Sequence, residues 1–245
     1  MFNVLLANFN IQIDNRFPFV ERQCKDYITD GGAPDMRVRV SEQDIKREHE
    51  ASVELYGKDH PFSEGYLESI CIYRSICEEL PEHNAFMLHA AIVELDGRGY
   101  AFSARPGVGK STHASLWREH LGASIVNGDK PIITFEGDRA IAWGTPWCGK
   151  EGLAENRSVP LDALCFIERS PTNFVEPMST EEAATRVMTQ LLLPSDPSRM
   201  LLLMEHADRL LKLTPAYKIV CNISREAAIV CHDGIQKHNV RKDGN

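Results

Sequence analysis

The chain has 245 residues, with 27 basic and 35 acidic side chains that give a formal net charge of −8. Its composition, 43% hydrophobic and 25% charged, is that of an ordinary globular protein and excludes collagen-like, coiled-coil and fully disordered classes. The negative charge disfavours a surface that binds nucleic acid through its phosphates. No apolar run approaches the ~20 residues that a membrane-spanning helix requires.

The composition and the first residues also limit which partners and which cellular location we expect. The first residues lack the basic lead of a signal peptide, so the predicted location is cytoplasmic. The seven cysteines are odd in number and contain no CxxC pair, which predicts neither a disulfide framework nor a zinc site. We expect no nucleic-acid or membrane partner, and the sequence leaves open whether the chain forms a homo-oligomer.

Residues 1–84 are predicted to form an accessory α+β region. Its apolar patterns predict two strands and two helices, at 2–13, 36–40, 42–54 and 63–80. Ser41, with Asp44 three residues later, predicts the start of the first helix, and Pro81 closes the second.

Residues 85–245 are predicted to form an α/β core with a mixed sheet and a helical C-terminal part. Apolar runs between turn residues predict strands at 86–95, 100–103, 124–126, 132–135, 140–143, 163–167 and 217–221. Helical patterns predict the remaining elements, at 111–121, 180–193, 197–213 and 224–238.

The segment 104–111 fits the phosphate-binding pattern GxxxxGK[ST] except at its first position, where Ala104 replaces glycine. In such a loop the glycines let main-chain N–H groups face the phosphates, Lys110 reaches the β and γ oxygens, and Ser111 coordinates Mg²⁺. The predicted nucleotide-binding residues are Arg105, Pro106, Gly107, Val108, Gly109, Lys110, Ser111 and Thr112. An accidental glycine-rich turn before a helix is the alternative.

A nucleotide site of this kind also needs a carboxylate for the metal ion, at the end of a following strand. Asp129 follows the predicted strand at 124–126, so we predict that Asp129 and Ser111 hold the metal. A simple turn aspartate is the alternative interpretation.

The stretch 89–169 resembles the kinase core of the HPr kinase/phosphorylases and the wider HPr-kinase-like, phosphoenolpyruvate-carboxykinase-like group of P-loop proteins. The matching positions are His89, the run 107–111 and Asp129. The resemblance implies a P-loop mixed sheet with flanking helices, ATP and Mg²⁺ as cofactors, and phosphoryl transfer to a hydroxyl. The acceptor would be a small molecule or a serine of a peptide or protein.

One departure from that family concerns the proton acceptor. The family has two adjacent aspartates, a base followed by a metal ligand, whereas here Gly128 precedes Asp129. The resemblance therefore carries over the metal role and leaves the base role vacant. His89 is predicted to accept the proton or to face the γ-phosphate, because imidazole titrates near neutral pH. A structural histidine on a buried strand is the alternative.

The segment 144–152 combines turn residues with charges and predicts an acceptor-side loop. Lys150 would neutralise the transferred phosphoryl group, and Glu151 would hold a second metal or a substrate amine. A structural turn capped by a packed Trp147 is the alternative. The predicted catalytic residues are His89, Lys110, Asp129, Lys150 and Glu151.

Three further side chains are weaker candidates. Lys150 is close enough in sequence to lower the pKa of Cys148. Arg157 and Arg169 are candidates for phosphate or substrate contacts, with a solvated surface position as the alternative.

The sequence as a whole favours an ATP-dependent kinase. Two alternatives remain: a carboxykinase-type enzyme, which needs several metal-binding histidines and lysines around the loop, and a catalytically degenerate nucleotide-binding module.

Overall fold

The computed structural model describes residues 1–57 and 62–243. Within these ranges the N-terminal part contains a four-stranded sheet in the order β3-β1-β2-β4. Its strands are β1 (Phe2–Leu6), β2 (Phe9–Asp14), β3 (Ile28–Thr29) and β4 (Met36–Arg39). Strands β1 and β2 form an antiparallel hairpin, and β4 joins β2 in parallel.

The hairpin corrects the prediction of one strand at 2–13. Ala7 and Asn8, with φ of 49° and 68°, form a two-residue turn that pairs Leu6 with Phe9. Positive φ at both central residues gives the twist that antiparallel strands favour. The usual glycine is absent from this turn, so the sequence contains no strong turn signal.

Three helices pack beside this sheet: α1 (Pro18–Gln23), α2 (Glu42–Tyr56) and α3 (Glu64–Glu79). The predicted start of α2 is confirmed, because Ser41 and Asp44 form a reciprocal capping box. Helix α3 is also confirmed, and a 3-10 turn that contains Pro81 follows it. Helix α1 was not predicted, since six residues are too few to establish a helical period.

The second sheet is a nine-stranded mixed sheet within the described ranges. Its strands are β5 (Phe86–Met87), β6 (Ala91–Leu95), β7 (Arg98–Ser103), β8 (Ser124–Asn127), β9 (Ile132–Glu136), β10 (Arg139–Trp143), β11 (Ser158–Arg169), β12 (Phe174–Pro177) and β13 (Ala216–Cys221). The order along the main path is β5-β9-β10-β11-β7-β6-β8, and β13 pairs with β11 and β12. Strands β7 and β13 run parallel to β11.

The predicted continuous strand at 86–95 is wrong at its centre, where 88–90 leaves the ladder. Three main-chain amides there donate to other segments: Leu88 N to Pro131 O, His89 N to Gln190 O and Ala90 N to Asp129 O. His89 therefore lies in a break between β5 and β6 and not on a buried strand. Local apolar character cannot predict such a break, because distant carbonyls create it.

The remaining helices are α4 (Lys110–Leu121), α5 (Thr180–Met188), α6 (Pro197–Leu213) and α7 (Arg225–Asp243). The helix predicted at 180–193 is too long by five residues, since Leu191 forms a bridge with Leu88 instead. Strand β11 is longer than predicted, and β12 was not predicted. The class predicted from sequence, an α/β mixed sheet with flanking helices, is confirmed.

The apolar core of the N-terminal part continues across the predicted boundary at 84/85. Met87, Ile132 and Trp147 belong to the same buried cluster as the residues of α3 and the first sheet. The division into 1–84 and 85–245 therefore stays a prediction. Among the helices that the structure describes, none has the length and apolar character needed to cross a membrane.

Strand directions bring several loops to one edge of the second sheet. Strands β7 and β8 are both antiparallel to β6, so they point the same way, and β11 and β13 are parallel to β7. The residues that follow β7 and β8, and those that precede β6, consequently meet at this edge. In open α/β sheets, ligands bind outside the carboxyl ends of the strands.

Candidate functional site

The glycine loop occupies this edge, between β7 and α4. Gly107 and Gly109 have φ of 76° and 123°, which side-chain-bearing residues rarely adopt, so both glycines are required by backbone conformation. Ala104 lacks a positive φ, and a methyl group is therefore compatible with its position. No side chain caps the N-terminus of α4 at Gly109, and Arg105 and Pro106 are exposed at the tip of the loop. The first amides of the helix can thus donate hydrogen bonds to an anion.

Arg169, at the end of β11, supports the loop from outside. Its Nε donates to Val108 O at 2.7 Å and its Nη2 to Gly107 O at 2.6 Å. Arg169 therefore holds the loop in place, whereas the sequence suggested that Arg169 contacts phosphate or substrate. Arg157 lies elsewhere, where it pairs with Glu94 at 3.4 Å and with Glu155.

The side chains of three other residues contact the Asp129 carboxylate. Lys110 Nζ donates to Asp129 Oδ1, His89 Nε2 lies 3.0 Å from the same oxygen, and Lys130 Nζ lies 3.4 Å from Oδ2. Three of the five predicted catalytic residues, His89, Lys110 and Asp129, are therefore in direct contact. Lys130 was not among the predicted site residues, and its only sequence signal was its place beside Asp129.

The charge states follow from these contacts. Burial opposes ionisation of Asp129, but the hydrogen bond from His89 and the charges of Lys110 and Lys130 outweigh it and hold the pKa well below its usual range. Burial lowers the pKa of Lys110, and the Asp129 carboxylate counteracts that effect. Asp129 is therefore an ionised carboxylate at neutral pH.

Asn127 is a buried positioning residue that the sequence analysis did not select. Its Oδ1 accepts from Asp129 N at 2.8 Å and from Lys130 N at 2.7 Å, and its Nδ2 donates to Thr145 O at 2.9 Å. This turn fixes the main chain of the acidic residue and ties it to the 144–152 loop. The available signal was an asparagine directly before a Gly-Asp pair, which is typical of Asx turns.

The main chain fills the space beside Gly128. A Cβ atom at this position would lie 2.4 Å from Cys148 O and 3.5 Å from Leu153 O, and Gly128 N donates to Leu153 O at 3.0 Å. A side chain at position 128 is therefore incompatible with this packing. The 144–152 loop therefore leaves no room for a second acid at position 128.

A cleft of about 460 Å³ separates α3 from the 144–152 loop. It is lined by Ser111 and Asp129 together with the predicted loop residues Lys150 and Glu151. Among the residues that the structure describes, the side chains of Lys150 and Glu151 make no hydrogen bond or ion pair. The cleft thus unites the predicted metal ligands with the predicted acceptor-side residues.

A second cavity, of about 470 Å³, also reaches the start of α4 and shares no lining residue with the cleft. Gly109 and Thr112 line it beside apolar groups such as Leu116 and Ile223. It opens at the ends of β11 and β13, the position where open sheets bind ligands.

Two side chains of the 144–152 loop have structural roles. Trp147 is buried, and its Nε1 donates to Ser69 O at 3.2 Å and Ser69 Oγ at 3.0 Å. The prediction that Lys150 lowers the pKa of Cys148 is wrong. Burial raises that pKa, and the nearby carboxylates of Asp129 and Glu151 add to the effect.

Comparisons with known proteins place this geometry in context. No family model matches the chain, and no curated protein matches it. Among solved structures it is similar to the HPr(Ser) kinase/phosphatase from Coxiella burnetii, at 10% identity and a TM-score of 0.37, with 64% of this chain and 98% of that chain covered. A likeness at this level assigns neither activity nor substrate, so the function proposed below is drawn from the geometry of the site.

Proposed function

We propose that this chain is an ATP-dependent kinase that transfers the γ-phosphoryl group to a hydroxyl of a small molecule or of a peptide or protein serine. The observation that carries the proposal is the contact between Lys110 and Asp129 at the start of α4, directly after an exposed glycine loop. Main-chain donors, a cation and a carboxylate at one helix N-terminus are the groups that bind a metal-bound nucleotide.

The nucleotide would bind on the loop side of the site. Its phosphates would lie against residues 105–112, where no side chain caps the helix. Its nucleoside would occupy the apolar cavity beside Thr112 and Leu116, whose volume of about 470 Å³ suits a ligand of that size.

The residues present fit a magnesium ion. Mg²⁺ prefers oxygen ligands, usually one or two from the protein together with substrate phosphates and water. Ser111 and the ionised Asp129 line the same cleft and would supply such oxygens. When bound, Mg²⁺ would neutralise charge on the β- and γ-phosphates.

The other predicted residues would act around these ligands. His89 would orient Asp129 through the 3.0 Å contact between Nε2 and Oδ1. Lys150, exposed in the cleft and without a protein partner among the described residues, would neutralise charge on the transferred phosphoryl group.

A degenerate nucleotide-binding module is the second candidate, and one observation favours it. Position 128, where the resembling family has its base, is packed against Cys148 O and cannot accept a carboxylate. The carboxykinase alternative lacks such support, because it needs several metal-binding histidines around the loop, and of the described residues that contact Asp129 only His89 is a histidine.

Binding of ATP and ADP during a magnesium titration tests the proposal. Lys110→Ala removes a charge-assisted contact to phosphate, so we expect its Kd for Mg-ATP to rise about 100-fold. The matched control is Lys46→Ala on the exposed face of α2, which should bind like wild type. Absence of binding by wild type, or equal binding by Lys110→Ala, contradicts the proposal. Binding without any ADP formation identifies the degenerate module.

A further inference from the structure

We propose that the acceptor alcohol binds in the cleft between α3 and the 144–152 loop, and that Glu151 accepts the proton of its hydroxyl. This inference rests on the kinase function proposed above.

The two cavities both reach the start of α4 but share no lining residue. Gly109 and Thr112 line the apolar cavity, whereas Ser111 and Asp129 line the cleft beside α3. Phosphoryl transfer requires the attacking and leaving oxygens to be roughly in line with the phosphorus. A nucleoside in the apolar cavity therefore leaves the cleft as the side of attack.

Elimination within the cleft selects Glu151. Of the described residues that line the cleft, the carboxylates are Asp129 and Glu151, and His89, the proton acceptor predicted from sequence, is not among the lining residues. Asp129 is held by His89, Lys110 and Lys130 and is assigned to the metal ion, so it is not available as the proton acceptor. Glu151 has no hydrogen bond or ion pair within the described ranges, and its carboxylate is exposed.

The turn whose main chain leaves no room for a side chain at position 128 also contains Glu151. The carbonyl of Cys148 fills the space beside Gly128, and the chain then turns back through Gly149. A Cβ atom built on Gly149 would lie 3.3 Å from Asp129 Cβ and 3.7 Å from Glu151 Oε2. The two carboxylates therefore flank the same short stretch of main chain, next to the proposed metal ligands.

The lining of the cleft favours an uncharged alcohol. Its two carboxylates are balanced by Lys130 and Lys150, so the lining carries no excess charge for an ionic acceptor. Ile70 and Tyr73 of α3 provide an apolar wall. A free small alcohol and the side chain of a serine in an extended peptide share this chemistry.

The acceptor oxygen forms a bond to the γ-phosphorus while the bond from that phosphorus to the β–γ bridging oxygen breaks. The hydroxyl proton passes to the Glu151 carboxylate, and ADP leaves with the electron pair of the broken bond. Without an alcohol, a water molecule in the cleft would undergo the same reaction and yield phosphate.

Water as acceptor allows a test that needs no identified substrate. Single-turnover hydrolysis of Mg-ATP should fall about 100-fold in Glu151→Gln, the usual contribution of a general base. The Kd for Mg-ADP should remain that of wild type, because Glu151 does not contact the nucleotide side. Glu119→Gln, on the exposed face of α4, is the matched control and should hydrolyse ATP normally.

Chemical rescue separates a proton acceptor from a structural residue. Sodium formate should restore part of the hydrolysis lost in Glu151→Ala, and it should leave Lys110→Ala inactive. Unchanged hydrolysis in Glu151→Gln, or loss that formate does not restore, overturns the assignment of Glu151. If wild type binds Mg-ADP yet hydrolyses no ATP, the inference fails while nucleotide binding stands. Loss of nucleotide binding itself would instead refute the proposed function.

Alcohol probes test the acceptor class. Glycerol represents a free small alcohol, N-acetylserinamide a serine in a peptide, and glycerate an anionic alcohol. We expect glycerol or N-acetylserinamide to be phosphorylated. Whichever of the two is phosphorylated faster shows whether the natural acceptor is a free small alcohol or a serine in a peptide. Phosphorylation of glycerate alone, or of none of the three, overturns the uncharged class. Ile70→Trp should fill the cleft and abolish alcohol phosphorylation, whereas Leu201→Trp on exposed α6 should not.

Discussion

At the scale of single residues, the buried side chain of His113 is an uncharged packing group next to the candidate site. It is buried in the first part of α4, where its Nε2 accepts from Trp117 Nε1 at 3.1 Å, and its Nδ1 lies 3.7 Å from Cys221 Sγ. Burial lowers the pKa of His113 to about 4. The imidazole is therefore a neutral packing group at neutral pH, although the main-chain N–H of the same residue donates to Gly109 O of the glycine loop at 2.9 Å.

This burial predicts a pH dependence of stability. In the unfolded chain His113 titrates near 6.5, so between that pH and about 4 the unfolded state binds more protons, and the free energy of unfolding falls as pH falls. From pH 7.5 to 5 we expect this histidine to contribute a loss of about 2 kcal/mol. Urea unfolding of His113→Gln, which keeps an acceptor for Trp117, should show a correspondingly smaller loss. An exposed control, His49→Gln, should match wild type, and equal slopes in all three would contradict the prediction.

At the scale of elements, the glycine loop depends on β11. Arg169 binds the carbonyls of Gly107 and Val108, and a trans peptide directs each following N–H away from its carbonyl. The amide of Gly109, which follows the Val108 carbonyl, is therefore oriented away from the guanidinium, whereas the Val108 amide donates to Arg105 O at 3.1 Å. Strand β11 thus positions a main-chain donor for the proposed nucleotide, from a residue 60 positions downstream of Gly109.

Arg169→Lys is predicted to weaken nucleotide binding without removing it. Lysine retains the charge but cannot hold two carbonyls with one planar group, so the loop loses its orientation. We expect the Kd for Mg-ADP to rise about tenfold, which corresponds to roughly 1.4 kcal/mol. Arg118→Lys on the exposed face of α4 is the control. Calorimetric titration checks both, and an unchanged Kd for Arg169→Lys would show that the loop orients itself.

At the scale of the whole molecule, the N-terminal part holds the 144–152 loop in place. Ser69 Oγ donates to Gln23 Oε1 at 2.6 Å and accepts from Trp147 Nε1 at 3.0 Å, and Gln23 Nε2 donates to Pro146 O at 3.1 Å. These bonds close a partly buried network between two helices and the turn. The proposed acceptor cleft therefore depends on both parts of the chain.

Ser69→Ala tests this dependence. It leaves Gln23 Oε1 without its donor, so we expect the free energy of unfolding to fall by about 1–3 kcal/mol. Circular dichroism and tryptophan fluorescence should report one shared urea transition in wild type, because Trp147 belongs to the N-terminal apolar cluster. The control is Ser52→Ala, whose hydroxyl donates within α2 to His49 O. Two separate transitions would show that the two parts fold independently.

Local signals explain which parts of the structure were predictable. The capping box of Ser41 and Asp44, the strand before the glycine loop and the helix after it depend on residues close in sequence. The hairpin turn at Ala7 and Asn8 was missed because its residue types carry no strong turn signal. The break at 88–90 was missed because its hydrogen-bond partners are remote in the chain.

The candidate site likewise has features that the sequence predicts and features that only the tertiary structure shows. The glycine pattern at 104–111 and the carboxylate after the next strand could be predicted from the sequence alone. Spacing and residue type are enough to show which groups are available to bind phosphate and a metal ion. Tertiary structure alone decided that Lys110, His89 and Asp129 meet, since that contact requires the relative directions of β6, β7 and β8. It also decided that the main chain of Cys148 excludes a base at Gly128. Close packing between segments distant in sequence sets such contacts, and no local pattern encodes them.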